Sequence, residues 1–214
     1  MSRILNVSYD VPEHEVLNDA ATVVLNGGVI VYPTETLYGI GADATNPAAV
    51  ANVVKAKRRS DEKPILVIIH TRDLLKNLVA RIPDSAEQLM QRFWPGPLTL
   101  VFESAPGVPY ELTRGSGTIG VRIPSNTFCM ELLARCNRPL TSTSANISGE
   151  PVHRTIDEIR LAVTDGIDLY IDAGTLPESK PSTVVSVVGT KPKLLREGVI
   201  PFDVLQEVLP IVEM

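Results

Sequence analysis

The chain alternates between two hydrophobic rhythms. From Glu13 to Asn26, apolar residues recur at Val16, Leu17, Ala20, Ala21, Val24 and Leu25, the spacing that gathers them on one face of a helix, and Gly27-Gly28 supplies the stop. "VIVYP" (29–33) follows as a short continuous apolar run, a buried strand, and "TETLYGIGAD" reads as a loop. Asn46-Pro47 opens a second helix through "AAVANVVKAK", with proline in the first turn where its missing N–H costs nothing. "PILVIIH" (64–70) is again a strand, and two short helical patterns cover 71–79 and 83–93. Strands are expected in "PLTLVFES" (97–104) and "TIGVRIP" (118–124). The helix "NTFCMELLARCN" leads into a strand "PLTSTS". A helix near 155–163, strands in "GIDLYIDAG", "STVVSVVG" and "PKLLREGVI", and a closing helix near 201–209 complete the pattern. The two strand-rich patches that break the helix–strand alternation favour an α/β fold with a mixed sheet over a doubly wound parallel one.

Composition narrows the class. The 44% apolar and 21% charged residues are those of a soluble globular chain, and 214 residues suffice for one large domain, taken here as 1–214. The 17 prolines fall singly at element boundaries, without a low-complexity linker or internal repeat. No apolar run approaches the roughly 18 residues that span a bilayer. The N-terminus carries no signal-peptide apolar region, so the chain is expected in the cytoplasm. Cys129 and Cys136 stand seven apart on one helix, about 10 Å of rise, too far for a disulfide. The histidines His14, His70 and His153 show no metal-ligand spacing, and no protein-bound zinc is expected. A net charge of −5 argues against coating nucleic acid by charge alone.

Several stretches could carry chemistry. "KAKRRSDEK" concentrates Lys55, Lys57, Arg58, Arg59 and Lys63 at the end of the second helix. It is either a solvated face complementing the helix dipole or an anion site in which Arg grips phosphate through paired hydrogen bonds. There is no Walker A pattern, so a nucleotide would be held by side-chain cations. "RGSGTIG" (114–120) is either a hairpin loop or a backbone wrap for phosphate. "PTETLYG" (33–39) directly follows a strand, where α/β folds often place ligand contacts; its plain alternative is a capped turn with Tyr38 packed inward. "FWPGPLTL" holds the only tryptophan, which fixes a loop against the core.

The stretch least explained by folding rules is "TSTSANISGEP" (141–151), with more short polar side chains than one helix cap needs. Ser142, Ser144 and Ser148 have no neighbouring base in triad or Ser-Lys context, and no G-x-S-x-G occurs. Neutral hydrogen bonds around a polyanion, complementing the basic cluster, are the better reading.

Taken together, "PTETLYGIGADA", "KAKRRSDEKP", "WPGPLTL", "VRIP", "TSANISGEP", "PSTVV" and "LLREG" stand in the order and spacing of the YrdC family of threonylcarbamoyladenylate synthases, which the chain resembles from about Gly27 to Gly198. The resemblance implies a twisted mixed sheet flanked by helices around a positively charged concave groove. It also implies a reaction in which ATP, L-threonine and bicarbonate give threonylcarbamoyl-AMP, pyrophosphate and water. Mg²⁺ would bridge the phosphates, and the product would pass to the machinery that modifies tRNA beside the anticodon. The family's catalytic tetrad falls on Lys57, Arg59, Ser144 and Asn146. ATP contacts fall on Arg59, Lys63, Thr118, Ser144 and Arg196, and threonine contacts on Thr36, Arg122, Ser142 and Ser182. Lys57, Arg59, Lys63 and Arg196 would neutralise phosphates, and Arg122 would hold the threonine carboxylate.

Three positions depart from the pattern: Ile68 where many relatives carry a histidine associated with threonine, Arg58 where Gly or Asn is usual, and Val152 for a small polar residue. The chain resembles the short form, without the extra C-terminal domain. Two other readings stand beside the synthase: a YciO-like paralogue, which "TIGVRIPSN" somewhat resembles, and a non-catalytic module holding double-stranded RNA or tRNA in a basic groove. The acidic net charge and 5% aromatics weigh against RNA, and steep salt dependence of binding would mark it.

Overall fold

The computed structural model describes residues 2–58 and 64–213. Two mixed sheets, rather than the single one expected, are packed with helices. The first has five strands: β1 (Arg3–Asn6), β2 (Ile30–Tyr32), β3 (Gly39–Gly41), β8 (Thr143–Ser144) and β9 (Leu169–Asp172), in the order β1-β9-β2-β3-β8. The second has seven: β4 (Val67–Ile68), β5 (Leu98–Glu103), β6 (Thr118–Arg122), β7 (Leu140–Thr141), β10 (Thr183–Ser186), β11 (Lys193–Arg196) and β12 (Val212–Glu213), in the order β12-β11-β10-β5-β6-β4-β7. Each sheet combines parallel and antiparallel pairs, as the broken rhythm implied.

The central strands of the five-stranded sheet are buried on both faces, and their alternation shows how. On β2, Ile30 and Tyr32 face a layer formed by α1 (His14–Leu25) and α6 (Thr127–Cys136), whereas Val31 faces α2 (Pro47–Ala56) and α7 (Ile156–Ala162). The α1/α6 layer also meets Ile68 and Leu140 of the seven-stranded sheet, so it ties the two sheets together. The largest apolar cluster lies on the seven-stranded sheet with α4 (Asp84–Phe93) and α8 (Phe202–Gln206). Short helices α3 (Arg72–Leu75) and α5 (Tyr110–Thr113) fill its connections. No helix among the described residues is long and apolar enough to cross a membrane.

Local chemistry sets the helix ends. Asn46 accepts from the N–H groups of Ala48 and Ala49 with Pro47 in the first turn, as its sequence predicts. Thr155 and Glu158 form a reciprocal capping box on α7. Cys129 and Cys136 are free, buried thiols on α6. Trp94 donates from Nε1 to the Leu98 carbonyl at 2.7 Å and anchors its loop.

Three expectations fail for non-local reasons. "GIG" reads as loop but is strand β3: a Cβ on Gly41 would lie 2.5 Å from Cε1 of Tyr32, so this strand has no side chain there because the tyrosine ring occupies the space. "PLTSTS" is not one strand but two, β7 pairing with β4 and β8 pairing with β3, so the chain changes sheets at Ser142. "PILVIIH" keeps only Val67 and Ile68 in the ladder. Strands β1 and β12 and helix α5 were not expected; all three are too short to show a period.

Candidate active-site cleft

A cleft of about 610 Å³ lies where the two sheets meet. Thr36, Gly39, Thr143 and Ser144 line it from the five-stranded side; Thr118 and Arg122 of β6, Ser182 of β10 and Arg196 of β11 line it from the other. Every expected threonine contact (Thr36, Arg122, Ser142 and Ser182) is on this wall, together with Thr118, Ser144 and Arg196 from the expected ATP set. Arg59 and Lys63 lie outside the described residues.

The polar stretch at 141–151 is organised from behind. Lys57, at the C-terminal end of α2, is only 3% exposed and is not on the cleft wall. Its ammonium donates to the Ser144 carbonyl, to the Asn146 carbonyl at 2.9 Å and to Asn146 Oδ1 at 3.2 Å. Ser144 Oγ donates to the same Oδ1 at 2.6 Å, and Asn146 Nδ2 donates to the Glu150 carbonyl at 2.6 Å. The Ser148 N–H closes the ring by donating to the Lys57 carbonyl at 3.0 Å. The buried cation therefore draws backbone and amide oxygens around itself and fixes a tight turn. Three of the four tetrad positions meet, but only Ser144 lines the cleft; Asn146 is buried behind it. Lys57, expected to neutralise phosphate, is seen to clamp the Ser144–Asn146 turn.

Across the cleft, Arg196 donates from Nη2 to the Ser182 carbonyl at 2.8 Å and to Ser182 Oγ at 3.2 Å, and Ser182 Oγ lies 2.9 Å from Thr99 Oγ1. Burial, and then the nearby Arg122 charge, hold the Arg196 guanidinium below its ordinary value. Gly198 explains the "LLREG" string: a Cβ there would sit 2.1 Å from the Pro181 carbonyl oxygen, so only glycine lets this segment press against 181–182 and bring Arg196 over Ser182.

Arg122 is 2% exposed, with Nη1 3.4 Å from Thr36 Oγ1 and 3.1 Å from Glu35 Oε1. The Glu35 contact is an ion pair without a directed hydrogen bond: both carboxylate oxygens and Arg122 Nε are buried with no hydrogen-bond partner. The turn holding Thr36 is built by Thr34 Oγ1, which donates to the Leu37 carbonyl at 2.6 Å and accepts from the N–H groups of Thr36 and Leu37 at 3.1 Å each. Tyr38 packs inward, donating to the Gly174 carbonyl and accepting from the Ala173 N–H. In "RGSGTIG", Gly115 and Gly117 take positive φ in an exposed connection, and only Thr118 and Gly120 reach the cleft. Ile68 does not line it either; it is fully buried against the α1/α6 layer, while Leu66, two residues earlier, forms the wall. Val152 lies on the rim.

Sequence reasoning missed Glu35 and Thr99. Thr99 left no local signal inside an apolar strand, whereas Glu35 stood in view as the one acid within "PTETLYG".

The family model Sua5_yciO_yrdC, described as "Telomere recombination", matches residues 22–198. The chain is 35% identical over 209 residues to the threonylcarbamoyl-AMP synthase of Pyrococcus abyssi, covering 98% of this chain and 61% of that protein. The structure of P. abyssi Sua5 complexed with L-threonine superposes with a TM-score of 0.92 at 34% identity, covering 98% of this chain and 62% of that one. This chain thus spans about three fifths of that relative's length. The putative threonylcarbamoyl-AMP synthase of Mycobacterium leprae is 37% identical over 90% of this chain and 88% of its own length. E. coli YciO superposes with a TM-score of 0.86 at 28% identity, covering 96% of this chain and 100% of YciO. With the site strings in place and these matches over most of its length, the chain belongs to the Sua5/YciO/YrdC family.

Proposed function

We propose that this protein is a threonylcarbamoyl-AMP synthase, joining L-threonine, bicarbonate and ATP into L-threonylcarbamoyl-AMP with release of pyrophosphate and water. The observation that carries the reading is one cleft lined by two guanidiniums, Arg122 beside Thr36 and Ser142, which suits an amino-acid carboxylate, and Arg196 with Thr118 and Ser144, which suits phosphates. The relatives' shared name supports the same chemistry.

In this reading the threonine amine and bicarbonate give a carbamate and water, and a carbamate oxygen attacks the α-phosphorus as the bond to pyrophosphate breaks. Nucleophile and electrophile are both anionic, so the chain's task is charge neutralisation and alignment. Arg122 holds the carboxylate. Arg196, with Arg59 and Lys63, meets the phosphates. Ser144 presents its hydroxyl from a turn whose position Lys57 and Asn146 fix. Magnesium would arrive as part of the Mg–ATP substrate. The labile product would go to the enzymes that attach threonylcarbamoyl to tRNA next to the anticodon.

The test is pyrophosphate release with ATP, Mg²⁺, bicarbonate and L-threonine, omitting each in turn, with mass spectrometry for the carbamoyl adenylate. Release that requires every component, with the adenylate present, is the expected result. ATP binding without threonine-dependent release would overturn the synthase reading and leave the YciO-like one, to which the full-length overlap with E. coli YciO would then point.

A further inference from the structure

Charge is divided unevenly along the cleft. Arg196 is held by a carbonyl and a hydroxyl, and among the described residues it has no carboxylate partner. Arg122 is different: the Glu35 carboxylate lies 3.1 Å from its Nη1, with its side chain 13% exposed. The other groups facing Glu35 are Tyr9, Tyr32 and Cys129. Each aims its donor elsewhere: Tyr9 at the Thr34 carbonyl (3.2 Å), Tyr32 at the Thr141 carbonyl (3.1 Å) and Cys129 at the Pro33 carbonyl (3.2 Å). Among the described residues Arg122 is the one cationic side chain in ion-pair contact with Glu35, so the Glu35 charge bears first on that guanidinium. A buried carboxylate left without a directed hydrogen bond is costly, and a purely structural ion pair is normally satisfied on more of its atoms.

We propose that Glu35 is a specificity-determining positioning residue: by offsetting the Arg122 charge it makes the amino-acid end of the cleft accept a zwitterion and reject simple anions, leaving polyphosphate to the Arg196 end. A ligand carrying a carboxylate alone meets the Arg122 attraction together with the Glu35 repulsion. An adjacent ammonium is attracted by the Glu35 charge from behind the cleft wall and offsets that repulsion. Two uncompensated guanidiniums would instead draw phosphate into the amino-acid end and block the productive order of substrates. This inference rests on the threonine-binding reading of the same site.

The experiment is a ligand-and-mutant cycle by isothermal titration at fixed salt and pH, using L-threonine and 3-hydroxybutanoate, the same skeleton without the amine, on wild type, Glu35→Gln and Glu35→Asp. Hydrogen bonds from other residues to the amine cancel in the ratio of ratios. The preference for threonine over 3-hydroxybutanoate is expected to fall on the order of tenfold in Glu35→Gln, to be largely retained in Glu35→Asp, and to be accompanied by pyrophosphate becoming competitive with threonine. Equal weakening of both ligands in Glu35→Gln, the signature of a merely structural role, would overturn the inference while threonine turnover in wild type left the synthase reading standing. Should Glu35→Gln not fold, wild type still decides: binding 3-hydroxybutanoate as tightly as threonine overturns the inference. A wild type that binds neither threonine nor its analogue overturns both readings.

Discussion

Replacing Lys57 with Met separates two roles that sequence alone merges. Methionine keeps the length and apolar stem but removes the ammonium, and with it the donors to the Ser144 carbonyl, the Asn146 carbonyl and Asn146 Oδ1. Hydrogen bonds to a charged group contribute roughly 1.5–3 kcal/mol each. Against that loss stands the desolvation of a buried ammonium, which costs several kcal/mol and is relieved in the variant. The net loss is about 2–4 kcal/mol, and for a chain of this size each kcal/mol lowers Tm by about 2–4 °C. A fall of roughly 4–16 °C is therefore expected, measured by calorimetry, together with loss of threonine-dependent pyrophosphate release because Ser144 is no longer held. Proteolysis should cut the 144–150 turn faster than in wild type. An unchanged Tm and unchanged proteolysis with ATP binding lost would refute the clamp and return Lys57 to direct contact with phosphate.

Two other expectations follow from backbone geometry and burial. Arg58 adopts φ +48° just past the end of α2, a left-handed conformation that costs a side-chain-bearing residue about 1–2 kcal/mol. Arg58→Gly should relieve that strain and, after the extra chain entropy of glycine, stabilise by about 0.5–1 kcal/mol; a lower Tm would show that the arginine side chain holds more than the strain costs. Burial, and then the Asp43 charge, push the Cys136 thiol up to about 11 from 9. The folded value lies above the unfolded one, so this stabilisation is complete below about pH 9 and is lost as pH rises through the folded value. Cys136→Ala should show a shallower fall of Tm between pH 9 and 11 than wild type, and equal slopes would refute the assignment.

The parts of this protein legible in its sequence are those decided within a few residues. Helix α2 was readable because Asn46, Pro47 and the spacing of Val50 and Val53 all act locally. Helix α6 was readable for the same reason, from Asn126 and its apolar face. Strand β3 was not, because its Gly41 is set by the ring of Tyr32 on the neighbouring strand. The site divides in the same way. Family strings brought forward the hydroxyls and arginines that do line the cleft. Nothing local says that Lys57 points into a turn formed by residues 144–146, or that Glu35 meets Arg122 on another sheet. Ile68, singled out in the sequence as a departure from the family pattern, is a core residue, because its alternation on β4 directs it into the α1/α6 layer.

The change of sheet at Ser142 has a consequence for what this segment tolerates. Thr141 belongs to one sheet and Thr143 to the other, with a single residue between them whose N–H is fixed by the Leu66 carbonyl at 2.8 Å. Side chains on paired strands alternate, so adding or deleting one residue here would turn the hydroxyls of one strand away from the cleft and break register with its partner. Substitutions at a given position alter one contact; a change of length would uncouple the two halves of the molecule. The spacing of this stretch is therefore constrained more tightly than its chemistry, and it works as a ruler as well as a binding loop.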